Sequence, residues 1–412
     1  MKQAQAYAAL DAYVDAHFDA QVRMLQALVR VPTDTPPGDN SPHALKTRAL
    51  LAELGFDAVA HEVPAAQVRD YGLQSLTNLV VQRRYAPGGP IVALNAHGDV
   101  VPPGEGWTRN PYGGEIEDGR LYGRAAAVSK CDFTTFSFAT RALEAAGVPL
   151  RGGIDLLFTY DEEFGGLLGP GWLLEQGLTR PDLEIAAGFS YQVVTAHNGC
   201  LQLQATVHGK MGHAAVPATA VDALQAATRV LVALYAENER LRAHRSAVPG
   251  IEHGYINVGR IEGGTNTNVV PGTVLLKIDR RMIPEEDPTQ IEAGLRQMIE
   301  AAVATLPGAR VDIKRLLLAH AMQPLAGNAP LVEALTRHAS ALFGEPVEAC
   351  GTPLYTDARL FAERGIPAVI YGAGPRTVLE SNAKRADEHI VLEDLRRATQ
   401  VVARTLLDLL AA

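Results

Sequence analysis

The stretch IVALNAHGDVVPPGEGWTRNPYGGEIEDGRLYGRAAAVSKCD, residues 91–132, is the most informative part of this chain. Its first six residues, Ile91 to Ala96, are mostly apolar and predict a short buried strand that leads into His97. Open α/β sheets bind their ligands at the carboxyl ends of such strands. Because side chains alternate along a strand, Asp99 points the same way as His97 and can accept a hydrogen bond from its ring. We therefore expect a polar site at this strand end.

The composition is that of an ordinary globular protein. Of 412 residues, 47% are hydrophobic and 20% are charged, and the length predicts two domains. The 37 basic and 46 acidic residues give a net charge of -9 without a basic block, which argues against nucleic acid and against an anionic membrane surface as partners. The chain therefore fits a protein that acts on a small-molecule substrate.

The N-terminus and the cysteines predict a cytoplasmic location. Asp11, Asp15 and Asp19 stand where a signal peptide would be apolar, and no uncharged apolar run reaches the about 18 residues that span a bilayer. The three cysteines are far apart, odd in number and in no Cys-x-x-Cys pair. A disulfide framework or a structural zinc knuckle is not expected, and we interpret the cysteines as buried thiols.

The order of the predicted elements indicates one domain interrupted by another. Up to residue 199, helices alternate with strands near 78–84, 91–96 and 154–159, which predicts an α/β fold with a mainly parallel or mixed sheet flanked by helices. The order then becomes β-α-β-β-α-β, the ferredoxin-like unit. We predict a catalytic domain at 1–199 and 318–412 and an inserted domain at 200–317.

Motifs along nearly the whole chain resemble the aminoacylase, carboxypeptidase G, acetylornithine deacetylase and succinyl-diaminopimelate desuccinylase family of two-metal peptidases and deacylases. The motifs, in the family's order, are HGDVVPPGEGW and NPYGGEIEDGRLYGR in the first stretch, DEEFGG at 161–166, HGKMGHAAVP at 208–217, GGTNTNVVP at 263–271, DRRMIP at 279–284, TDAR at 356–359, GAGP at 372–375 and ADE at 386–388. The resemblance implies the fold described above, zinc or another divalent cation as cofactor, and a homodimer formed through the inserted domain.

The resemblance also implies roles for residues at the strand ends. Glu162 would be the general base, and His97, Glu163 and Asp182 would be metal ligands, with Asp99 as the catalytic partner of His97. Adjacent carboxylates suit this chemistry because one can hold a cation while its neighbour takes a proton from water. Most isolated Glu-Glu pairs, however, are solvated turns, and an aspartate after a proline is a common turn residue.

Further residues are implied to contact the substrate. His213 would reach across a dimer to the scissile carbonyl oxygen, and Asn268 and Arg281 would hold substrate oxygen atoms and the carboxylate. Backbone N–H groups of the loop at Gly372 and Gly374 could bind an anion. On spacing alone, a surface or capping role explains each of these residues equally well.

Two positions depart from the family's pattern. Val128 stands where the family has its bridging aspartate, and Lys384 stands where it has a metal-binding histidine; neither side chain ligates a metal. The exchange makes the site more positive by two charges, which at about 5 Å and an effective dielectric of about 20 opposes a divalent cation by about 10 kcal/mol. Asp132 lies one helical turn, about 5.4 Å, beyond Val128, which is too far to replace it without a backbone shift. His197 and His389 are further possible substitute ligands, although a single histidine is more often a surface or core residue. We therefore expect at most one cation.

Two functions remain open from the sequence. The first is an amide-bond hydrolase of the deacylase or dipeptidase type, acting on an N-acyl amino acid or dipeptide-like substrate with a free carboxylate. It would use one cation at His97 and Asp182, or none, in which case Lys384 would polarise the carbonyl while Glu162 activates water. The alternative is a relative that has lost metal-dependent hydrolysis and binds a ligand, or runs a metal-independent reaction with Lys384 in the pocket. We favour the hydrolase because the base and the substrate-holding positions persist together.

Overall fold

The computed structural model describes residues 3–412, which form two compact units. The first unit contains residues 3–195, 324–350 and 356–412, and the second contains residues 196–323 and 351–355. The predicted insertion at 200–317 lies inside the second unit, which is longer at both ends and also takes up the short segment 351–355.

Helices and strands alternate along the chain. The helices are α1 (Gln3–Val29), α2 (Ser41–Glu53), α3 (Ala65–Asp70), α4 (Lys130–Ala145), α5 (Pro170–Glu175), α6 (Ala223–Leu241), α7 (Pro288–Ala304), α8 (Ala329–Phe343), α9 (Ala358–Ala362) and α10 (Leu392–Leu410). The strands are β1 (Val59–Glu62), β2 (Thr77–Arg84), β3 (Ala86–His97), β4 (Glu115–Glu117), β5 (Arg120–Tyr122), β6 (Arg151–Thr159), β7 (Leu183–Ala186), β8 (Val193–His197), β9 (Gly199–His208), β10 (Gly212–His213), β11 (Tyr255–Gly263), β12 (Val269–Val270), β13 (Thr273–Met282), β14 (Arg310–Ala319), β15 (Ala349–Thr352), β16 (Ala368–Ile370) and β17 (His389–Val391).

The largest sheet has eight strands in the order β1-β2-β6-β3-β7-β16-β8-β15. Its centre is parallel, because β3 pairs in parallel with β6 and β7, and β7 pairs in parallel with β16. Toward one edge, β1, β2 and β6 pair antiparallel. The predicted mixed sheet is confirmed. The parallel centre brings the carboxyl ends of β3, β6 and β7 to the same edge of the sheet.

Helix α4 is buried on nearly every side because it packs against α1, α10 and strands of the sheet. Its buried aromatic residues are Phe133, Phe136 and Phe138. Its buried hydroxyl groups are satisfied within the helix, since Ser137 and Thr140 donate to the carbonyl groups four residues earlier at 2.7 and 2.8 Å. This packing holds the start of α4, and with it the loop that contains Val128, in a rigid environment.

The second unit is a four-stranded antiparallel sheet with the order β11-β13-β9-β14. Helices α6 and α7 pack against this sheet and against each other. Along the chain, the large elements of the unit follow the predicted order β-α-β-β-α-β. Buried residues alternate along β13, with Val274, Leu276 and Ile278 facing the core. Asp222 and Asp287 cap the two helices by accepting backbone N–H groups of the first turn.

The cysteines form no disulfide in the structure. Cys131 and Cys200 are buried and Cys350 is partly buried, in line with the interpretation as thiols. No helix within residues 3–412 has the length and apolar character needed to cross a bilayer.

A largely buried carboxylate ties three helices of the first unit together. Asp408 of α10 accepts hydrogen bonds from Tyr7 of α1 and from Nε2 of His338 of α8, the latter at 2.6 Å, and pairs with Arg337. Burial opposes its negative charge, but the hydrogen bonds from His338 and Tyr7 and the charge of Arg337 lower the pKa of Asp408 to about 2.

We expect the stabilisation of the fold by the ionised Asp408 carboxylate to disappear in acid. The folded pKa lies below the ordinary value of 3.8, so the contribution is complete above that value and is lost as the pH falls toward about 2. The difference between a pKa of 3.8 and one of about 2 corresponds to about 2 kcal/mol. Asp408→Asn should therefore lower the free energy of unfolding by about 2 kcal/mol near neutral pH, measured by urea unfolding. The exposed Asp57→Asn serves as control; equal stability of Asp408→Asn and wild type would contradict the assignment.

Candidate active site

The predicted strand-end site lies at the carboxyl edge of β3 and β6. Their parallel register sets His97 opposite Thr159, so the segments that follow these strands lie next to each other. Glu162 and Glu163 open a short 3-10 helix, Glu162–Phe164, which begins three residues after the last residue of β6. His97 and Glu162 are only 9% and 8% exposed, respectively. The fold thus places an imidazole and two carboxylates together in a mostly buried position.

Asp99 joins the two segments. It is fully buried, and its Oδ1 lies 3.3 Å from Nδ1 of His97, on the side that the alternation of side chains predicted. The closer partner of this ring nitrogen, at 3.0 Å, is the backbone carbonyl oxygen of Asp99. Its carboxylate also accepts the backbone N–H of Glu162 at 3.3 Å and that of Glu163 at 3.0 Å. The bonds to Glu162 and Glu163 were missed by sequence reasoning because those residues lie 63 and 64 positions away. Asp99 therefore orients both the histidine and the acidic pair.

A serine that the sequence did not single out fixes the backbone of His97. The Oγ of Ser129 donates to the carbonyl group of His97 at 3.0 Å and accepts its N–H at 3.2 Å. Ser129 follows Val128 directly, and the N–H of Ala127 on the other side donates to Glu388 at 3.2 Å. The Val128 loop is therefore anchored on both sides.

The carboxylates determine the electrostatics around His97. Its Nε2 lies 3.8 Å from Oε2 of Glu162. Burial alone lowers the pKa of His97, but the negative charges of Glu162, Asp99 and Glu163 raise it to about 10. Burial raises the pKa of Glu162 above its usual range, against the positive charges of His97 and Lys384. A carboxylate with a raised pKa takes up a proton more readily, as a general base requires.

Lys384 approaches the site from a loop far away in the sequence. Its Nζ donates to Oε2 of Glu163 at 2.7 Å, and its side chain is about half exposed while that of Glu163 is buried. Burial opposes the ammonium charge, but Glu163 and Glu162 raise the pKa of Lys384. Within residues 3–412, Oε1 of Glu163 is buried without a hydrogen-bond partner. In this structure the predicted metal ligand Glu163 is the ion-pair partner of Lys384.

Asp182 lies at the amino end of β7, at the side of the sheet opposite to the carboxyl ends where His97 lies. Its Oδ2 accepts the N–H of Ile91 at 2.8 Å, just before β7 begins. Ile91 and His97 are separated by six residues of β3, or about 20 Å of extended strand. The prediction that Asp182 and His97 share a cation is therefore wrong. The residues that follow β7 at the carboxyl edge are Ala-Gly-Phe at 187–189, which contain no metal-binding side chain.

The GAGP loop does not offer free N–H groups. Gly372 and Gly374 donate to carbonyl groups of residues 189 and 188 at 3.3 and 2.8 Å. Ala373, between them, donates to Oδ1 of Asp132 at 2.6 Å. The prediction of an anion site at Gly372 and Gly374 is wrong because these groups fix the loop to the end of β7. The carboxylate of Asp132, which the sequence placed too far from Val128 to replace it without a backbone shift, holds the same loop.

His213 and Asn268 are brought together in the second unit. Strand β10 pairs with β12 so that His213 lies opposite Val269, and the N–H of Ala214 donates to the carbonyl group of Asn268 at 3.0 Å. The Nδ1 of His213 accepts the N–H of Ala215 at 3.0 Å. A neutral ring in this arrangement carries its proton on Nε2, which points to a hydrogen-bond donor of the kind the sequence predicted.

Arg281 is already paired within its own strand. It donates from Nε and Nη2 to Asp279 at 2.7 and 3.4 Å, and its guanidinium group lies 5.4 Å from the ring centre of Tyr355. Asp279 therefore orients the guanidinium group and accepts hydrogen bonds from its Nε and Nη2 atoms. A substrate carboxylate would have to bind the remaining N–H groups.

The fold and the site define a class of protein. A histidine and paired carboxylates at the carboxyl edge of a mixed sheet, in a chain with a ferredoxin-like unit, are typical of a hydrolase of the metallopeptidase type. Residues 93–408 match the model of peptidase family M20/M25/M40. The chain belongs to this family, and it is a hydrolase.

Its relatives include two deacylases. Succinyl-diaminopimelate desuccinylase of Methylorubrum populi is 29% identical over 407 residues, covering 93% of this chain and 96% of its own. Acetylornithine deacetylase of Myxococcus xanthus is 30% identical over 366 residues, covering 87% and 89%. A solved structure described as an M20 family metallo-carboxypeptidase from Sulfolobus solfataricus has a TM-score of 0.78 at 18% identity, with 94% of this chain and 98% of its own covered. That likeness shows the shared fold.

The side chains of this site do not fit a metal centre. Within residues 3–412, no group of three or more His, Cys, Asp or Glu side chains could hold a metal ion. Three candidate carboxylates already have partners in the protein: Oε2 of Glu163 accepts from Lys384, Asp182 accepts the N–H of Ile91, and Asp132 accepts that of Ala373. His97, His197 and His389 each use Nδ1 for a backbone carbonyl group, and among residues 3–412 none of them belongs to a group of three or more potential ligands. The ligand geometry expected of a metallopeptidase is therefore not present.

Proposed function

We propose that the chain is an amide-bond hydrolase of the deacylase or dipeptidase type, acting on an N-acyl amino acid or dipeptide-like substrate with a free carboxylate. Glu162 acts as general base. It takes a proton from water while the water oxygen bonds to the carbonyl carbon, and it returns that proton to the leaving nitrogen as the C–N bond breaks. The supporting observation is the buried Glu162 beside His97, with its backbone N–H bonded to Asp99.

The named relatives support the type of reaction, and the potential metal ligands limit the number of cations. Both named relatives are enzymes that remove acyl groups from amines, so the alternative of a ligand-binding relative has no support from them. With Val128 and Lys384 in their places, the site would use at most one divalent cation, zinc or another. Asn268 and Arg281 remain the predicted contacts to the substrate oxygen atoms and carboxylate. The proposed location is the cytoplasm, which cell fractionation would check.

A substrate panel tests the proposed reaction. It contains N-acetyl and N-succinyl amino acids and dipeptides, each with a free and an amidated carboxylate, and the measurement is release of free amine. We expect at least one compound with a free carboxylate to be hydrolysed and its amidated form to react much more slowly. No hydrolysis of any compound would contradict the proposal.

We also propose a homodimer formed through the second unit. One face of α6 exposes Leu224, Val232 and Tyr235, which are 45%, 65% and 53% accessible. Exposed apolar groups on one helix face often mark a protein interface, and the family resemblance implies a second copy of this chain as the partner.

Light scattering should give twice the chain mass of 44.0 kDa. The double change Val232→Glu and Tyr235→Glu should reduce the mass to that of one chain, because it puts charges in the apolar contact. The control is Arg240→Gln, an exposed position outside this face of the same helix. A wild-type protein with the mass of one chain would show that the dimer is wrong.

A further inference from the structure

We propose that Lys384 takes the place of a metal cation in this active site, so that its ammonium group stabilises the oxyanion formed on the scissile carbonyl. This inference rests on the proposed amide hydrolysis and deepens it. It also departs from the metal chemistry that the word metallo-carboxypeptidase states for the Sulfolobus relative.

The first support is the position of the charge. The Nζ of Lys384 lies 2.7 Å from Oε2 of Glu163, the carboxylate that was predicted to hold a cation. The backbone N–H of Glu163 in turn donates to the carboxylate of Asp99, which also accepts the N–H of Glu162 and lies beside the ring of His97. A permanent positive charge is therefore attached to the same rigid group of residues as the proposed base.

The second support is the backbone of Lys384. Its φ angle is +61°, in the left-handed region that L residues with long side chains rarely adopt. Asn382 and Asp387 in the same loop also have positive φ angles, of 53° and 56°, but Asn and Asp tolerate this conformation better than Lys. Residues held in such conformations cluster at functional sites. A lysine here, instead of a glycine or asparagine, indicates that its side chain is needed.

The third support is the way the loop is held. The carboxylate of Asp387 accepts the N–H and the hydroxyl group of Thr108 at 3.0 and 2.9 Å. The next residue, Glu388, is buried and pairs with the buried Arg124 at 2.5 Å. These contacts anchor the loop to the segment that follows β3. Asp387 is therefore a positioning residue for Lys384.

The chemistry is complete without a further reactant. An ammonium group has three N–H donors. Glu163 accepts from one of them, and within residues 3–412 the other two are left for a ligand oxygen. The water oxygen bonds to the carbonyl carbon, and a proton of the water moves to Glu162. An N–H group of Lys384 donates a hydrogen bond to the negatively charged carbonyl oxygen. The C–N bond then breaks, and Glu162 returns the proton to the amine. A donor in this position commonly contributes a factor of about 100 to 1,000 in kcat.

Metal binding gives the first test, and its readout does not require activity. The wild-type chain is dialysed against chelator and then incubated with zinc or manganese chloride, and its metal content and Tm are measured. We expect far less than one ion per chain and an unchanged Tm. The double change Val128→Asp and Lys384→His, which removes the ammonium and adds two ligands, should take up zinc and gain in Tm. One tightly held ion per wild-type chain would overturn the inference.

Activity gives the second test, with a substrate from the panel above. We expect turnover to be unchanged by chelator, and Lys384→Met to lower kcat by a factor of about 100 or more with a smaller change in KM. Lys384→Arg keeps the charge and should retain more activity than Lys384→Met. Arg385→Met, an exposed cation next in the chain, is the matched control and should behave as wild type. Wild-type activity in Lys384→Met, or loss of wild-type activity in chelator, would refute the role.

Coupling between Asp387 and Lys384 tests the positioning role. Asp387→Ala should lower kcat in the wild-type background, because the loop that holds Lys384 is released. The same change should have little further effect in the Lys384→Met background, where there is no ammonium to position. Equal effects in both backgrounds would show that Asp387 does not act through Lys384. If no panel compound is hydrolysed by wild type, the proposed function fails, while the metal titration still decides whether Lys384 replaces a cation.

Discussion

Glu162→Gln should lower kcat by a factor of about 1,000 while the fold stays intact. Glutamine has nearly the same shape as glutamate, so the backbone hydrogen bond to Asp99 and the packing beside His97 persist. Its amide oxygen cannot take a proton from water at neutral pH. The loss should therefore appear in kcat, with little change in KM, because substrate binding does not need the base.

The measurement is steady-state hydrolysis of the best panel substrate, together with the Tm of each variant. Glu105→Gln provides a matched control, since it makes the same change at an exposed acid in the segment that follows β3. We expect Glu105→Gln to keep wild-type turnover. If Glu162→Gln turned over substrate as fast as wild type, Glu162 would not be the base.

Arg124→Met should destabilise the protein by about 3–5 kcal/mol, the range observed when one partner of a buried ion pair is removed. Arg124 is fully buried, and its Nη1 lies 2.5 Å from Oε2 of Glu388, which is 1% exposed. Its Nη2 also donates to the carbonyl group of Pro103 at 2.8 Å. Methionine fills much of the volume but leaves the Glu388 carboxylate buried without its counter-charge.

Urea unfolding of the purified variants measures this effect. The control is Arg310→Met, because Arg310 and Asp312 form a pair at 3.2 Å whose side chains are 68% and 70% exposed; such pairs contribute at most about 1 kcal/mol. The double variant Arg124→Met and Glu388→Gln should be more stable than Arg124→Met, since it removes the uncompensated charge. A loss no larger than that of Arg310→Met would show that the buried pair is not important.

Much of the fold was predictable because its signals are local. The alternation of apolar residues and the helical spacing between residues 200 and 317 predicted every large element of the second unit in the correct order. The apolar run before His97 and the run before Glu162 predicted strands that end at polar residues. Both strands do end there, and their parallel pairing brings these ends together.

The site was predictable only in part because partners depend on long-range geometry. Asp182 matched a motif but precedes its strand, so the parallel pairing of β3 and β7 places it beside Ile91, away from the carboxyl ends where His97 lies. The polar groups of Asp132 and Gly374 looked available in the sequence, yet the packed loop uses them for its own hydrogen bonds. A spacing rule cannot show that a group is already occupied.

Residue types and local periodicity therefore established the α/β class and the interrupted order of the elements, and the family resemblance of the motifs indicated the exchange of two expected ligands for Val128 and Lys384. The folded chain alone established what those residues touch. The Nζ of Lys384 meets Glu163 across 221 positions of sequence, and that contact exists only because a loop anchored by Asp387 and Glu388 returns to the strand edge. The order of residues along the chain does not show such a long-range contact. The packing of the sheet and its loops produces it.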